Sequence, residues 1–282
     1  MMPRFCLFLL CALTFSSCAP ADLLNASIPR VGYGITRDIA YGQHPRQRFD
    51  IYVPARARHA PLVVFFYGGS WQNGSKDDYR FLGQALTEQG FVVAVVDYRL
   101  YPEVRFPAFV EDAARAVAYL HQHADSYGAD PGALFVAGHS AGAYIAMMVG
   151  SDPRYLRQVG GQRSWVRGII GIAGPYNFLP FTDEAIKSIF STAPDAETQP
   201  INHLVGSVPP VFLATGTEDD TVDPRNSTTL RDALAKRGTP VEYHRYPETG
   251  HIGIILSLAE GFRDRTTLLA DIRHFIRQTL PR

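Results

Sequence analysis

Residues 135–148 read FVAGHSAGAYIAMM. An apolar, strand-like run enters Gly138-His139-Ser140-Ala141-Gly142, and an alanine-rich helical run leaves it. Two glycines, each two residues from a serine where a strand meets a helix, suit a sharp turn in which the serine is strained. A Cβ at Gly138 or Gly142 would collide with neighbouring chain. Such a turn lifts the Ser140 hydroxyl above the carboxyl edge of a sheet. It also sets the serine at the amino end of a helix, where free N–H groups and the helix dipole favour developing negative charge. The competing reading of the same residues is a tight turn with a serine N-cap and no chemistry.

The sequence on either side supplies the sheet. PLVVFFYGG, FVVAVVDY, ALFVAGHS, VRGIIGIAG and PPVFLATG are continuous apolar runs, the pattern of parallel strands covered on both faces. Helical segments fall between them, near 77–89, over 107–124, from Ala141 onward, and near 224–236. TRDIAYG and QRFDIYVP alternate around QHPR and predict an antiparallel pair at a sheet edge. VEYHRYPE, at 241–248, reads as a last strand. A terminal helix over 263–280 would align Leu269, Ile272, Ile276 and Leu280. Alternating strands and helices predict one α/β domain over 36–282 with a mostly parallel sheet. Residues 175–207 break the alternation with four prolines and one short helical stretch, DEAIKSIF, and read as a small lid at the sheet's carboxyl edge.

A serine hydroxyl is a weak nucleophile without a base, so a histidine and its carboxylate partner should exist. After PPVFLATG comes TEDDTVDP, with Asp219, Asp220 and Asp223 as candidates. The spacing of a glycine, two residues and an acid selects Asp219, on the first loop turn after the strand. Asp220 is its rival, Asp223 suits the cap of the following helix, and a solvated turn would explain all three charges. His251, in YPETGHIGI, follows the last strand and precedes helical sequence, where a base should lie. His244 belongs to the alternating strand, and His121 and His123 face different ways on a helix. No cluster has metal-ligand spacing. Tyr67-Gly68-Gly69-Ser70-Trp71 ends the first apolar strand, and its glycines would let backbone N–H groups turn toward an oxyanion. The N–H of Ala141 would be the other donor. A glycine-rich strand exit without a ligand is the plain alternative.

YGGSW, DYRLYPEVRFPAFVEDAARAVAYL, GHSAG, GTEDDTV and GHIG, in that order, resemble the α/β-hydrolase superfamily. The nearest likeness is to its carboxylesterase and feruloyl-esterase-like (BD-FAE-like) branch, from about Arg37 onward. The resemblance implies an α/β-hydrolase fold with an eight-stranded, mostly parallel sheet, helices on both faces and a small lid. It implies Ser140 as nucleophile, His251 as general base and acid, and Asp219 as its orienting partner. Gly69, Ser70 and Ala141 would give the oxyanion donors, and Trp71 and His139 would contact substrate. The expected reaction is hydrolysis of short-chain or aromatic acyl esters through an acyl-enzyme, with no cofactor or metal. An amide or formamide hydrolase of the kynurenine-formamidase kind uses the same parts, and a non-catalytic binding protein on this scaffold is a third reading. Two residues depart from the branch: Tyr67 stands where histidine is usual, and Ser70 where a third glycine is usual. Arg99, Glu103 and Asp112 are expected to pair and hold the elbow region.

Composition narrows the partners. Lys plus Arg and Asp plus Glu number 27 each, which argues against a nucleic-acid or polybasic membrane surface; the partner that the resemblance implies is a small-molecule or carbohydrate ester. All three cysteines, Cys6, Cys11 and Cys18, fall in the first 18 residues. There Arg4 precedes FCLFLLCALTF, an apolar run of 11 residues, too short to span a bilayer and typical of an export signal. FSSC resembles a bacterial lipobox, which would make Cys18 a lipidation site and the lipid anchor the chain's membrane contact. APA before Asp22 offers an ordinary cleavage site instead. Residues 1–18 are thus expected to be a signal, 19–35 a tether, and the protein periplasmic or membrane-anchored.

Overall fold

The computed structural model describes residues 31–280 together with Asn25, Ile28 and Pro29. The apolar leader, Cys18 and most of the expected tether lie outside the described residues. Eight strands form one sheet: β1 (Tyr33–Ala40), β2 (Arg48–Pro54), β3 (Ala60–Phe66), β4 (Val92–Val96), β5 (Ala129–His139), β6 (Val166–Ile172), β7 (Val211–Gly216) and β8 (Val241–Tyr246). Their order is β1-β2-β4-β3-β5-β6-β7-β8. The pairs β1–β2 and β2–β4 are antiparallel, and every other pair is parallel.

The apolar runs behave as their composition requires. Leu62–Phe66 of β3, Val92–Val96 of β4 and Leu134–Val136 of β5 are buried from end to end, because helices cover the sheet. Helix α1 (Arg80–Glu88) packs on β2 and β4 and touches α8 (Leu268–Thr279), which packs on β6 and β7. Helices α2 (Ala108–Gln122) and α3 (Ala141–Ser151) pack together, and α3 lies along β3, β5 and β6. A short α4 (Pro153–Gln158) follows α3, and α6 (Arg225–Lys236) and α7 (His251–Leu256) flank β8 in sequence. Among the described residues no helix is long and apolar enough to cross a membrane.

Two boundaries differ from expectation. The segment near 77 is a 3-10 turn, Lys76–Tyr79, capped by Ser75, and α1 starts only at Arg80. The terminal helix begins at Leu268 rather than 263, because the Thr266 hydroxyl accepts the Leu268 amide and Thr267 bonds to Asp271. Its buried stripe is Leu268, Ile272, Phe275 and Ile276, so Leu269 and Leu280 sit at the margin.

The break after β6 is real. Residues 173–210 hold α5 (Glu184–Phe190) and two 3-10 turns, Asp195–Thr198 and Pro200–His203. Side chains fasten this insertion to the body. Asn226 Oδ1 does so by accepting the amides of Tyr176 (2.9 Å) and Asn177 (2.8 Å), while within the insertion Gln199 Oε1 accepts that of Phe178 at 2.7 Å. Because β3, β5, β7 and β8 run parallel, the loops leaving their carboxyl ends all open on the same edge.

Candidate active site

The elbow explains its own glycines. Ser140 has φ 55° and ψ −124°, a left-handed conformation costly for a residue with a Cβ. A Cβ on Gly138 would lie 2.2 Å from the Gly142 carbonyl carbon, and one on Gly142 would lie 1.9 Å from the Phe66 carbonyl oxygen. The turn can therefore sit this close to β3 only with glycine at both places. The amides of Ala143 and Tyr144 bond the Ser140 carbonyl, which leaves those of Ala141 and Gly142 without an intrahelical partner.

Three loops bring three side chains together. The Ser140 hydroxyl lies 2.9 Å from His251 Nε2, and His251 Nδ1 lies 2.8 Å from Asp219 Oδ2. A carboxylate only accepts, so Nδ1 carries the proton and donates to Asp219. Nε2 then has a lone pair to receive the Ser140 O–H. The other carboxylate oxygen of Asp219 accepts the amides of Thr221 (3.1 Å) and Val222 (2.8 Å), which lock the acid in place. Burial alone would raise Asp219; the His251 hydrogen bond and these two amides outweigh it and hold the carboxyl below its ordinary range. Asp220 is exposed and bonds only its neighbour Thr221. Asp223 accepts the Arg225 amide at 2.8 Å and so caps the start of α6.

The YGGSW loop crosses above. Gly69, Ser70 and Trp71 all have positive φ, at 125°, 53° and 59°. Three consecutive left-handed residues turn the chain sharply, and the amides of Gln72 and Asn73 fold back onto the Gly69 carbonyl. Ser70, Trp71, Ser140 and Ala141 line one cleft of about 810 Å³. Tyr67, at the branch's histidine position, donates to Asp97 at 2.7 Å and accepts from Arg46 at 2.5 Å. Arg46 reaches on to the Gly74 carbonyl at 2.9 Å, so this network spans both ends of the loop. Nothing in the sequence pattern pointed to Arg46, which lies in the β1–β2 connection.

The cleft has linings of two kinds. Trp71, Phe178, Leu179, Pro180, Phe181 and Ile186 make the apolar one. Trp71 stacks on Phe178 (centroids 6.1 Å apart) and meets Phe190 edge-on at 4.9 Å. Thr221, Val222, Asp223, Arg225, Asn226 and Thr229, in and after the loop that carries Asp219, make the more polar one. His139, expected to contact substrate, lies elsewhere: it is 2% exposed, does not line the cleft, and directs Nε2 at the His251 carbonyl 3.0 Å away. Its ring packs beside that of His251 and against Gly68. Arg99 grips Asp112 through two 2.8 Å hydrogen bonds as expected, but Glu103 does not join them and pairs with His44 at 2.6 Å. His244, in β8, packs on Phe212 of β7, and His121 stacks on Trp165.

A mostly parallel eight-stranded sheet, with serine, imidazole and carboxylate gathered at its carboxyl edge by an elbow of this shape, is the α/β-hydrolase fold. The chain belongs to the BD-FAE family, whose model matches residues 49–234. It is 32% identical to the "probable isoprenylcysteine alpha-carbonyl methylesterase ICMEL1" of Oryza sativa subsp. japonica, over 79% of this chain and 58% of that protein. The chain thus spans less than two thirds of the length of that relative. It is 28% identical to the kynurenine formamidase of Danio rerio, over 85% of each chain. Among solved structures, EstE1, a carboxylesterase cloned from a metagenomic library, superposes with a TM-score of 0.76 at 23% identity, over 93% of this chain and 94% of that one.

Proposed function

We propose that this protein is a carboxylic-ester hydrolase that works through an acyl-enzyme on Ser140. The unbroken hydrogen-bonded line from Ser140 Oγ through His251 to Asp219, at 2.9 and 2.8 Å, carries the reading. His251 Nε2 takes the hydroxyl proton as Oγ attacks the ester carbonyl. Backbone N–H groups of Ala141 and the Gly69–Ser70 turn hold the oxyanion. His251 then returns the proton to the departing alcohol, the carbonyl re-forms, and an acyl-serine remains. Water repeats the two steps and releases the acid. Trp71 lines the acyl side.

The leaving alcohol must face His251, which protonates it. It therefore meets the wall from Thr221 to Thr229, which continues from the Asp219 loop, and the acyl group meets Trp71 and the lid phenylalanines. Ser140→Ala should lower kcat on an aryl ester by roughly 10⁴- to 10⁶-fold. Wild-type turnover in that variant would overturn the assignment. The even coverage against the Danio rerio kynurenine formamidase favours a formamide hydrolase as second reading. A kcat/KM for a formyl anilide above that for the matching aryl ester would select it. We place the protein outside the cytoplasm, on the leader with Cys18.

A further inference from the structure

His139 is a buried imidazole that the ester mechanism does not use. Its position constrains its protonation. Among the described residues the acceptor at Nε2 is the His251 carbonyl, 3.0 Å away, and a carbonyl cannot donate. Nε2 therefore carries a proton. Nδ1 is buried with no partner among the described residues and lies against Gly68, where even an added Cβ would stand 3.1 Å from it. A proton there would leave an unsatisfied charge in a dry site, so the ring stays neutral. Burial, with His251 as second cause, pushes its pKa down to about 3. The ring also leans on that of His251, with centroids 4.8 Å apart at 40°. It is thus wedged between the strand exit that leads to the oxyanion turn, the elbow, and the loop that carries the base. The titratable groups around it are His251 from α7, Asp219 from the loop after β7, and the Ser140 hydroxyl.

We infer that His139 is a positioning residue that sets His251 through a hydrogen bond from its Nε2–H to the His251 main-chain carbonyl. The inference rests on the triad reading. His251 is the first residue of a six-residue helix preceded by Gly250, a flexible approach for a group that must meet Ser140 within hydrogen-bond reach. An anchor on its own main chain removes that freedom. Neutrality matters equally, because the ring beside the base adds no positive charge when His251 becomes imidazolium.

The test uses the full chain with His139→Phe, which keeps a ring and loses the donor, and His139→Gln, whose side-chain amide N–H can reach the same carbonyl. The rate of Ser140 labelling by a fluorophosphonate, kcat and KM on an aryl ester, and the melting temperature are read for each. A misplacement of about 1 Å can cost roughly 100-fold in rate. We expect His139→Phe to lower the labelling rate and kcat by about tenfold to 100-fold with KM little changed, and His139→Gln to recover most of the loss. A merely structural role would move the melting temperature without that kcat-against-KM split or the rescue by Gln. If His139→Phe does not fold, His139→Met takes its place as the variant without a donor. Equal labelling rates in the donor and donor-less variants overturn the inference. A wild-type chain that the probe does not label at Ser140 sinks the serine-hydrolase reading instead, and the two failures are distinct.

Discussion

Asp219 and Asp220 carry the same side chain and meet different fates. Asp219 leaves β7 at the point where its carboxylate can accept two amides of its own loop and face His251, while Asp220 turns outward into water. The difference is one of direction, fixed by the tight loop and not by residue type. Asp219→Asn should lower kcat by roughly 10⁴-fold, because an amide at that place no longer selects the imidazole tautomer with a proton on Nδ1. Asp220→Asn should keep wild-type turnover. The pair of kcat values on one aryl ester decides the matter, and a reversed order would move the acid to 220. The same scale shows where pattern reading stops. The spacing in GTEDD selected Asp219 over its rival Asp220, and in the structure Asp219 is the one that faces His251 and accepts two loop amides. GHSAG put Ser140 at a strand-to-helix turn, where the structure has it within reach of His251, yet His139 next to it read as a substrate contact. Although Ser140 lines the cleft, the His139 beside it packs against Gly68 and the loop that carries His251, out of the cleft.

Elements were legible where burial alone determines them. A short run rich in β-branched and aromatic residues such as PLVVFF favours a strand covered on both faces, and β3 to β7 stand close to where that reading put them. Boundaries set by single hydroxyls were harder. The start of α8 depends on Thr266 and Thr267, whose side chains compete with the backbone for hydrogen bonds. The lid lay between, for its prolines announced an interruption, but its fold over the cleft comes from tertiary aromatic contacts. Phe178 stacks on Trp71 and is fixed at its amide by Gln199. In this reading the lid touches the acyl half of an ester alone. Phe178→Ala should therefore reduce kcat/KM for benzoyl or butyryl esters about tenfold relative to the acetyl ester, the scale of a lost apolar contact in a pocket. A series with fixed acetyl and varied alcohols should hardly change. Equal losses in both series would show that the lid does not separate the two halves.

For the molecule as a whole, buried groups whose pKa values shift on folding make stability depend on pH. Asp152 lies at the start of α4. Burial would raise its pKa, but hydrogen bonds from His203 and Arg154 overcome that and hold it far below the ordinary range. Asp219 is lowered in the same way. A carboxyl whose folded pKa is depressed stabilises the fold above about pH 4 and loses that contribution as pH falls further. His139 acts earlier. Its pKa falls from 6.5 in the unfolded chain to about 3 in the fold, so its contribution is complete above 6.5 and is lost as pH drops toward 3. In that window the unfolded chain binds one more proton at this site, and stability should fall by about 1.4 kcal/mol per pH unit from His139 alone. Denaturant unfolding of wild type and His139→Gln at pH 7, 6, 5 and 4.5 measures it. The wild-type curve should be steeper below 6.5 by about one proton, and added salt should not flatten the difference, because a buried ring is poorly screened. Parallel curves would mean that His139 is accessible to protons in the folded protein, contrary to an imidazole held neutral between the elbow and the base.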